Sequence, residues 1–208
     1  MMSGDIITTL IVLIPILLVS MAIHEVMHAI ASLKLGDDTA HMQGRISLNP
    51  FVHIDPVLTL ALPVFLAVVG APILAAAKPV QVNFNRLKWG EFGGAIVGAV
   101  GPISNLVLAI FGAASMRIIN PDSGSLTYEI IELFVQLNII LAIFNSIPWP
   151  PLDGSRVLYA FAPKPLQEFM ETIERLGMMG FLLFFLVFFS FLSPLVFNLV
   201  EKLTTILI

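Results

Sequence analysis

No cysteine occurs among the 208 residues, so disulfides and thiolate metal ligands are excluded and any metal must be held by His, Asp or Glu. Charge is scarce as well. Only 12% of residues are charged, against roughly a quarter in soluble domains, while 58% are hydrophobic and the mean hydropathy is +0.97. That balance excludes an ordinary soluble globule and describes a polytopic membrane protein. The net charge of −4 suggests no polyanionic partner, and no nucleic-acid partner is expected. No basic stretch precedes the first apolar run, so that run is expected to remain in the mature protein and not to leave as a signal peptide. Beside about four to six membrane segments there is no room for a separate soluble domain of about 100 residues, so residues 1–208 read as one integral-membrane domain.

Runs without charge, long enough for the bilayer, cover residues 6–23 (continuing to 33), 56–77, 92–116, 133–152 and 176–200. Pro63, Gly70 and Pro72 interrupt the second, which is expected to fold back as a re-entrant hairpin where protein shields its freed backbone groups. The resulting fold class is an all-α polytopic membrane protein with about four full spans plus this broken hairpin. Two polar stretches, Gly44-Arg45-Ile46-Ser47-Leu48-Asn49-Pro50 and Lys78-Pro79-Val80-Gln81-Val82-Asn83, read as short β-strands on the cytoplasmic side near the site described next.

The first apolar run ends in His24-Glu25-Val26-Met27-His28. On a helix, residues four apart share a face, so both imidazoles can reach one Zn²⁺ while Glu25 lies beside a water on that metal. Such five-residue patterns also arise by chance. Here chance is a weaker explanation, because an ionisable residue at membrane depth costs about 2.5–3.5 kcal/mol and is normally retained for a purpose. A third ligand is expected at the edge of another apolar run. Asp153 answers best, in Asn145-Ser146-Ile147-Pro148-Trp149-Pro150-Pro151-Leu152-Asp153-Gly154, where three prolines end the fourth helix. An isolated P-P-L-D-G would also suit a plain surface turn.

His24, His28 and Asp153 all follow the C-terminal parts of their segments, so meeting at one metal requires the first and fourth segments to run in the same direction. Of the two segments between them, one must therefore not cross, and the Pro/Gly-broken one is the natural hairpin. That assignment places Lys34, Arg45, Lys78, Arg86, Lys88, Arg156, Lys164 and Arg175 on the metal side, with Arg117 and Lys202 opposite. By the positive-inside rule the metal side is cytoplasmic, in a multi-pass protein of the cell membrane. Crossing parity and the distribution of basic residues thus select the same side independently.

With His24-Glu25-x-x-His28 in a membrane helix and Asn145 through Gly154 downstream, the chain resembles the site-2 protease family of intramembrane zinc metalloproteases, most closely its compact prokaryotic group without PDZ or CBS domains. Gly44-Arg45-x-Ser47-Leu48-Asn49-Pro50, His53-Ile54-Asp55-Pro56, Lys78-Pro79-Val80-x-Val82-Asn83 and Gly101-Pro102-x-Ser104-Asn105 extend the likeness over most of the chain. The resemblance implies one zinc per chain on His24, His28 and Asp153, Glu25 as catalytic base, and cleavage of membrane-spanning protein substrates within or near the bilayer. It does not carry a substrate over.

Several residues remain to be weighed. A side-chain amide is expected to stabilise the oxyanion, Asn145 first and Asn105 second, the competing reading for both being a helix-to-helix hydrogen bond. The strand Lys78 to Asn83 is expected to hold a substrate extended by strand addition. His53 is an accessory candidate near the metal, against a plain hydrogen bond to local backbone, and His41 reads as solvated. Gly93, Gly94, Gly98 and Gly101 read as close helix packing. Between Lys164 and Arg175, Leu166, Phe169, Met170 and Ile173 share one helical face, as in a helix lying on the membrane surface. The competing functions are a metal-binding or ion-translocating membrane protein and a catalytically silent adaptor. Neither needs a glutamate directly after the first histidine.

Overall fold

The computed structural model describes residues 6–56, 59, 77–177, 179–180, 183–184 and 191–208. Seven α-helices are labelled here: α1 (Ile6–Lys34), α2 (Thr39–Met42), α3 (Glu91–Ile119), α4 (Leu126–Asn145), α5 (Asp153–Phe161), α6 (Lys164–Arg175) and α7 (Ser193–Leu207). Short 3₁₀ turns occupy Pro50–His53 and Phe84–Arg86. Among the described residues three helices are long and apolar enough to cross a membrane: α1 over Ile11–Lys34, α3, and α4. The expected hairpin lies outside the described residues, and the fifth apolar segment is described only in part.

α1 is apolar on all sides, as a helix in lipid or a protein core must be. Its end is a Schellman motif. Gly36 adopts φ +105°, its N–H donates to the Leu33 carbonyl at 3.1 Å, and the Asp37 N–H donates to the Ser32 carbonyl at 2.9 Å. α3 starts with Glu91 in its first turn and Gly90 as N-cap, and ends at Asn120 in the left-handed region. α4 begins at Leu126 because the Ser125 hydroxyl accepts the Tyr128 N–H, seven residues earlier than the apolar run at 133 suggests. It ends at Asn145, so residues 146–152 form the proline-rich turn and not a last stretch of helix.

α3 is the spine, packed against α1, α4 and α5. Small residues make this possible: a Cβ at Gly112 would lie 2.8 Å from Phe134 and Val135 of α4, and one at Gly98 would lie 2.8 Å from the Asp153 carbonyl and the Arg156 Cβ of α5. In lipid, where burial gives little drive between helices, such close backbone approach is the main source of packing energy. Ala109, Ala113, Val135, Ile139, Leu152, Phe184, Val196 and Val200 form the main apolar cluster.

The end of α1 lies beside the start of α3, since the Lys88 N–H donates to the Leu35 carbonyl at 2.7 Å. α4 ends near the same place, because the turn after it brings Asp153 to α1. α1 and α4 therefore run in the same direction and α3 opposes them, as the parity argument requires. The residues flanking the second apolar segment also share this end: the Lys78 N–H donates to the His53 carbonyl at 2.8 Å.

Among the described residues no strand is assigned. The segment 78–83 is held instead by discrete polar bonds. Buried Arg45 donates to the carbonyls of Val52, Lys78 and Pro79, and fully buried Asp37 accepts the Asn83 N–H at 2.7 Å together with the hydroxyl and N–H of Thr39. Burial pushes the Asp37 carboxyl up, but the Thr39 and Asn83 donors, with Arg86 nearby, outweigh it and hold the carboxyl below its ordinary 3.8. Its contribution is thus complete above that value and disappears as pH falls through the lower folded-state pKa. Asp37→Asn should lose about 1.5–3 kcal/mol of stability near neutral pH, the worth of hydrogen bonds to a charged group. Thermal unfolding in detergent should also show a shallower acid decline below 3.8 for the variant than for wild type. Equal acid limbs would show that Asp37 does not hold this end together.

Candidate metal centre

His24 and His28 sit one turn apart on α1 and are nearly inaccessible, at 7% and 6% exposure. Asp153 is the first residue of α5, delivered by the turn that the prolines impose. Its partner in that turn is Gly154, where a Cβ would collide with the Ser146 carbonyl and lie 2.7 Å from the Ile147 carbonyl, so glycine alone lets α5 begin against the chain it leaves. The three side chains meet. His24 Nε2 and His28 Nε2 are 3.0 Å apart, and Asp153 Oδ2 is 3.0 Å from the first and 3.3 Å from the second.

The opposite edges of the rings explain what this cluster needs. His24 Nδ1 donates to Asn105 Oδ1 at 2.6 Å and His28 Nδ1 donates to the Val97 carbonyl at 2.7 Å. With each Nδ1 donating outward, each Nε2 faces the other and a carboxylate oxygen. Three donor atoms at this spacing can be bridged by one cation. Donors on a tetrahedral zinc are about 3.3 Å apart, given bonds of about 2.0–2.1 Å, close to the separations found. Gly101 completes the fit: a Cβ there would lie 2.6 Å from His24 Nε2 and closer still to His28 Nε2. The donor set, two imidazoles and a carboxylate with no sulfur, is one that zinc accepts, and among the described residues it is the one such group of three.

The other residues singled out in the sequence fall as follows. Glu25 is half-buried beside the cluster on α1, and its Oε2 accepts the Val80 N–H at 2.8 Å, which brings the segment 78–83 onto the site. Asn105 is fully buried on the far side of the His24 ring from the lone-pair cluster. Asn145 ends α4, and its amide donates to the Leu141 carbonyl at 2.9 Å. His53 is buried, but its Nε2 pairs with the Ser47 carbonyl at 2.9 Å, the local backbone bond. His41 is exposed on α2.

Three contributors escaped the sequence reading: Arg45, Asn138 and Ser20. In the sequence Arg45 stands in a motif and among the basic residues of the metal side, with nothing to mark the carbonyls it binds. Asn138 had a usable signal, an amide in the middle of an apolar run, two residues after Gln136, and Ser20 stands four residues before His24 on the same face of α1.

No family model matches the chain, and no solved structure matches it. Among curated proteins, it is 36% identical over 169 residues to the Bacillus subtilis protein named "Putative zinc metalloprotease YwhC", covering 77% of this chain and 74% of that one. It is 29% identical over 138 residues to Mycolicibacterium smegmatis "Putative zinc metalloprotease Rip2", covering 66% of this chain and 52% of that protein, about half its length. A shorter match, 40% identical over 62 residues, is to "Putative zinc metalloprotease MJ0611" of Methanocaldococcus jannaschii.

Gly101→Ala should place a methyl group where the two Nε2 atoms converge and so abolish zinc binding, with helix content by circular dichroism unchanged. A variant that keeps a full equivalent of zinc at wild-type affinity would contradict this account of the cradle.

Proposed function

The chain belongs to the site-2 protease family of zinc metalloproteases, and on that premise we propose that it hydrolyses peptide bonds of membrane-spanning proteins within or beside the bilayer. One observation carries the reading: at the end of an apolar α1, two imidazole lone pairs and the Asp153 carboxylate converge next to Glu25. His24, His28 and Asp153 hold one zinc per chain. When bound, zinc supplies a lowered pKa to water and polarises a carbonyl.

Glu25 is the general base. The Val80 N–H occupies Oε2 and fixes the carboxylate, leaving Oε1 to take a proton from the attacking water. As the new C–O bond forms and the C–N bond breaks, that proton passes from Oε1 to the leaving amine. Asn145 is the donor to the oxyanion, since its amide retains one N–H beyond the bond to Leu141. Asn105 has its carbonyl engaged by His24 and an N–H engaged by Asn138, and it serves to hold the ligand.

A transmembrane helix hides its peptide groups, so a substrate must unwind before a carbonyl is presented. The segment 78–83 is the surface for it. Lys78 and Val80 turn their N–H groups into the protein, toward His53 and Glu25, while Gln81, Val82 and Asn83 line an open groove of about 990 Å³ with Glu91, Arg156 and Tyr159. An extended substrate pairing along this edge lies directly over Glu25. This end of the bundle faces the cytoplasm, by its excess of Lys and Arg.

The test is cleavage of a panel of single-span model proteins by the purified protein in liposomes, with bound zinc assayed alongside. Glu25→Gln should bind zinc as wild type does and cleave about 10²–10⁴-fold more slowly. Stoichiometric zinc in a wild-type protein that cleaves no member of a broad panel would move the assignment to ion handling or to an adaptor.

A further inference from the structure

Behind His24 runs a polar chain through the centre of the helix bundle. Asn105 Nδ2 of α3 donates to Asn138 Oδ1 of α4 at 2.9 Å, and Asn138 Nδ2 donates to Ser20 Oγ of α1 at 3.0 Å and to the Phe134 carbonyl at 2.9 Å. Ser20, Asn105 and Asn138 are each 0% exposed. Three helices that also carry or buttress the metal ligands are thus joined by side chains that no water reaches.

The direction of this chain is decided at one end. A hydroxyl accepts or donates, and an asparagine amide rotated by 180° exchanges its oxygen and nitrogen at little cost in shape, so Ser20 and the two asparagines alone permit either polarity. The Phe134 carbonyl permits only one. It cannot donate, so Asn138 must turn Nδ2 toward it and Oδ1 toward Asn105. Asn105 must then give Nδ2 to Asn138 and Oδ1 to His24. A carbonyl oxygen facing His24 Nδ1 requires a proton on that nitrogen, which leaves the lone pair on Nε2, facing His28 and Asp153. The reversed chain would set two oxygens together at Phe134 and place the imidazole proton on Nε2, where it blocks a metal.

We propose that Asn138 is a positioning residue of the metal centre: oriented by the Phe134 carbonyl, it orients Asn105, and Asn105 locks His24 in its metal-binding tautomer. His28 needs no such relay, because its Nδ1 donates directly to the Val97 carbonyl, itself an acceptor only. This inference rests on the zinc reading above and adds to it the origin of one ligand's polarity. Outer partners of a ligating histidine typically change metal affinity by about 10–100-fold when lost.

The experiment is zinc affinity by chelator competition, with imidazole resonances of the zinc-loaded, ¹⁵N-histidine-labelled protein. Asn138→Leu keeps the branching and the number of heavy atoms but releases Asn105 to rotate, and zinc affinity should fall about 10–100-fold. The His24 Nδ1–H resonance should move while that of His28 stays. Adding Asn105→Asp supplies a carboxylate that can only accept from His24, so the double variant should regain most of the lost affinity. Wild type that binds no zinc would defeat the metalloprotease reading itself. Zinc-binding wild type with Asn138→Leu of equal affinity and unmoved His24, or loss of fold or affinity that Asn105→Asp does not repair, would overturn the role of Asn138 alone.

Discussion

The geometry of the candidate metal centre depends on two hydrogen bonds directed away from it. By taking the Nδ1 protons of His24 and His28, the Asn105 side chain and the Val97 carbonyl leave two lone pairs and a carboxylate oxygen confronting one another within 3.3 Å. The three come from two helices, α1 and α5, both packed against α3. A zinc ion held by them would bridge α1 and α5, and part of its binding free energy would appear as stability of the helix bundle.

That arrangement depends on how closely α3 approaches its neighbours. Gly98 lets it reach α5 and Gly101 lets it reach the two imidazoles, so the small residues of α3 act on the ligands by leaving space. Outside the apolar helices, distances are set by polar bonds. Asp37 and Arg45 tie the segment 78–83 to the end of α1, and the Val80 N–H ends on Glu25. Glu25 is thereby fixed by the same segment that forms an edge of the neighbouring groove.

Much of this was legible before any coordinates. The spacing of His24 and His28 fixes a shared helical face, and the prolines before Asp153 force a turn. The parity of crossings then demands parallel first and fourth segments, which α1 and α4 are. Helix ends were less legible: α4 starts at its Ser125 cap, which hydropathy does not register, and stops at Asn145. The strand-like pattern of residues 78–83 does not become a strand, because pairing depends on a partner strand, and here side chains of Arg45 and Asp37 take that place. Asn138 could be noticed as a polar residue in an apolar run, yet its partners and its direction belong to three-dimensional packing. No periodicity encodes that a particular carbonyl, Phe134, accepts from it.

The proposed function stands on His24, His28 and Asp153 sharing a single zinc, which X-ray absorption at the zinc edge of the purified protein can read. One zinc per chain is expected, with two imidazole nitrogens and carboxylate or water oxygens at about 2.0–2.2 Å, and loss of one imidazole contribution in His28→Ala. A spectrum without two imidazoles, or one unchanged when His24, His28 and Asp153 are replaced, would contradict it.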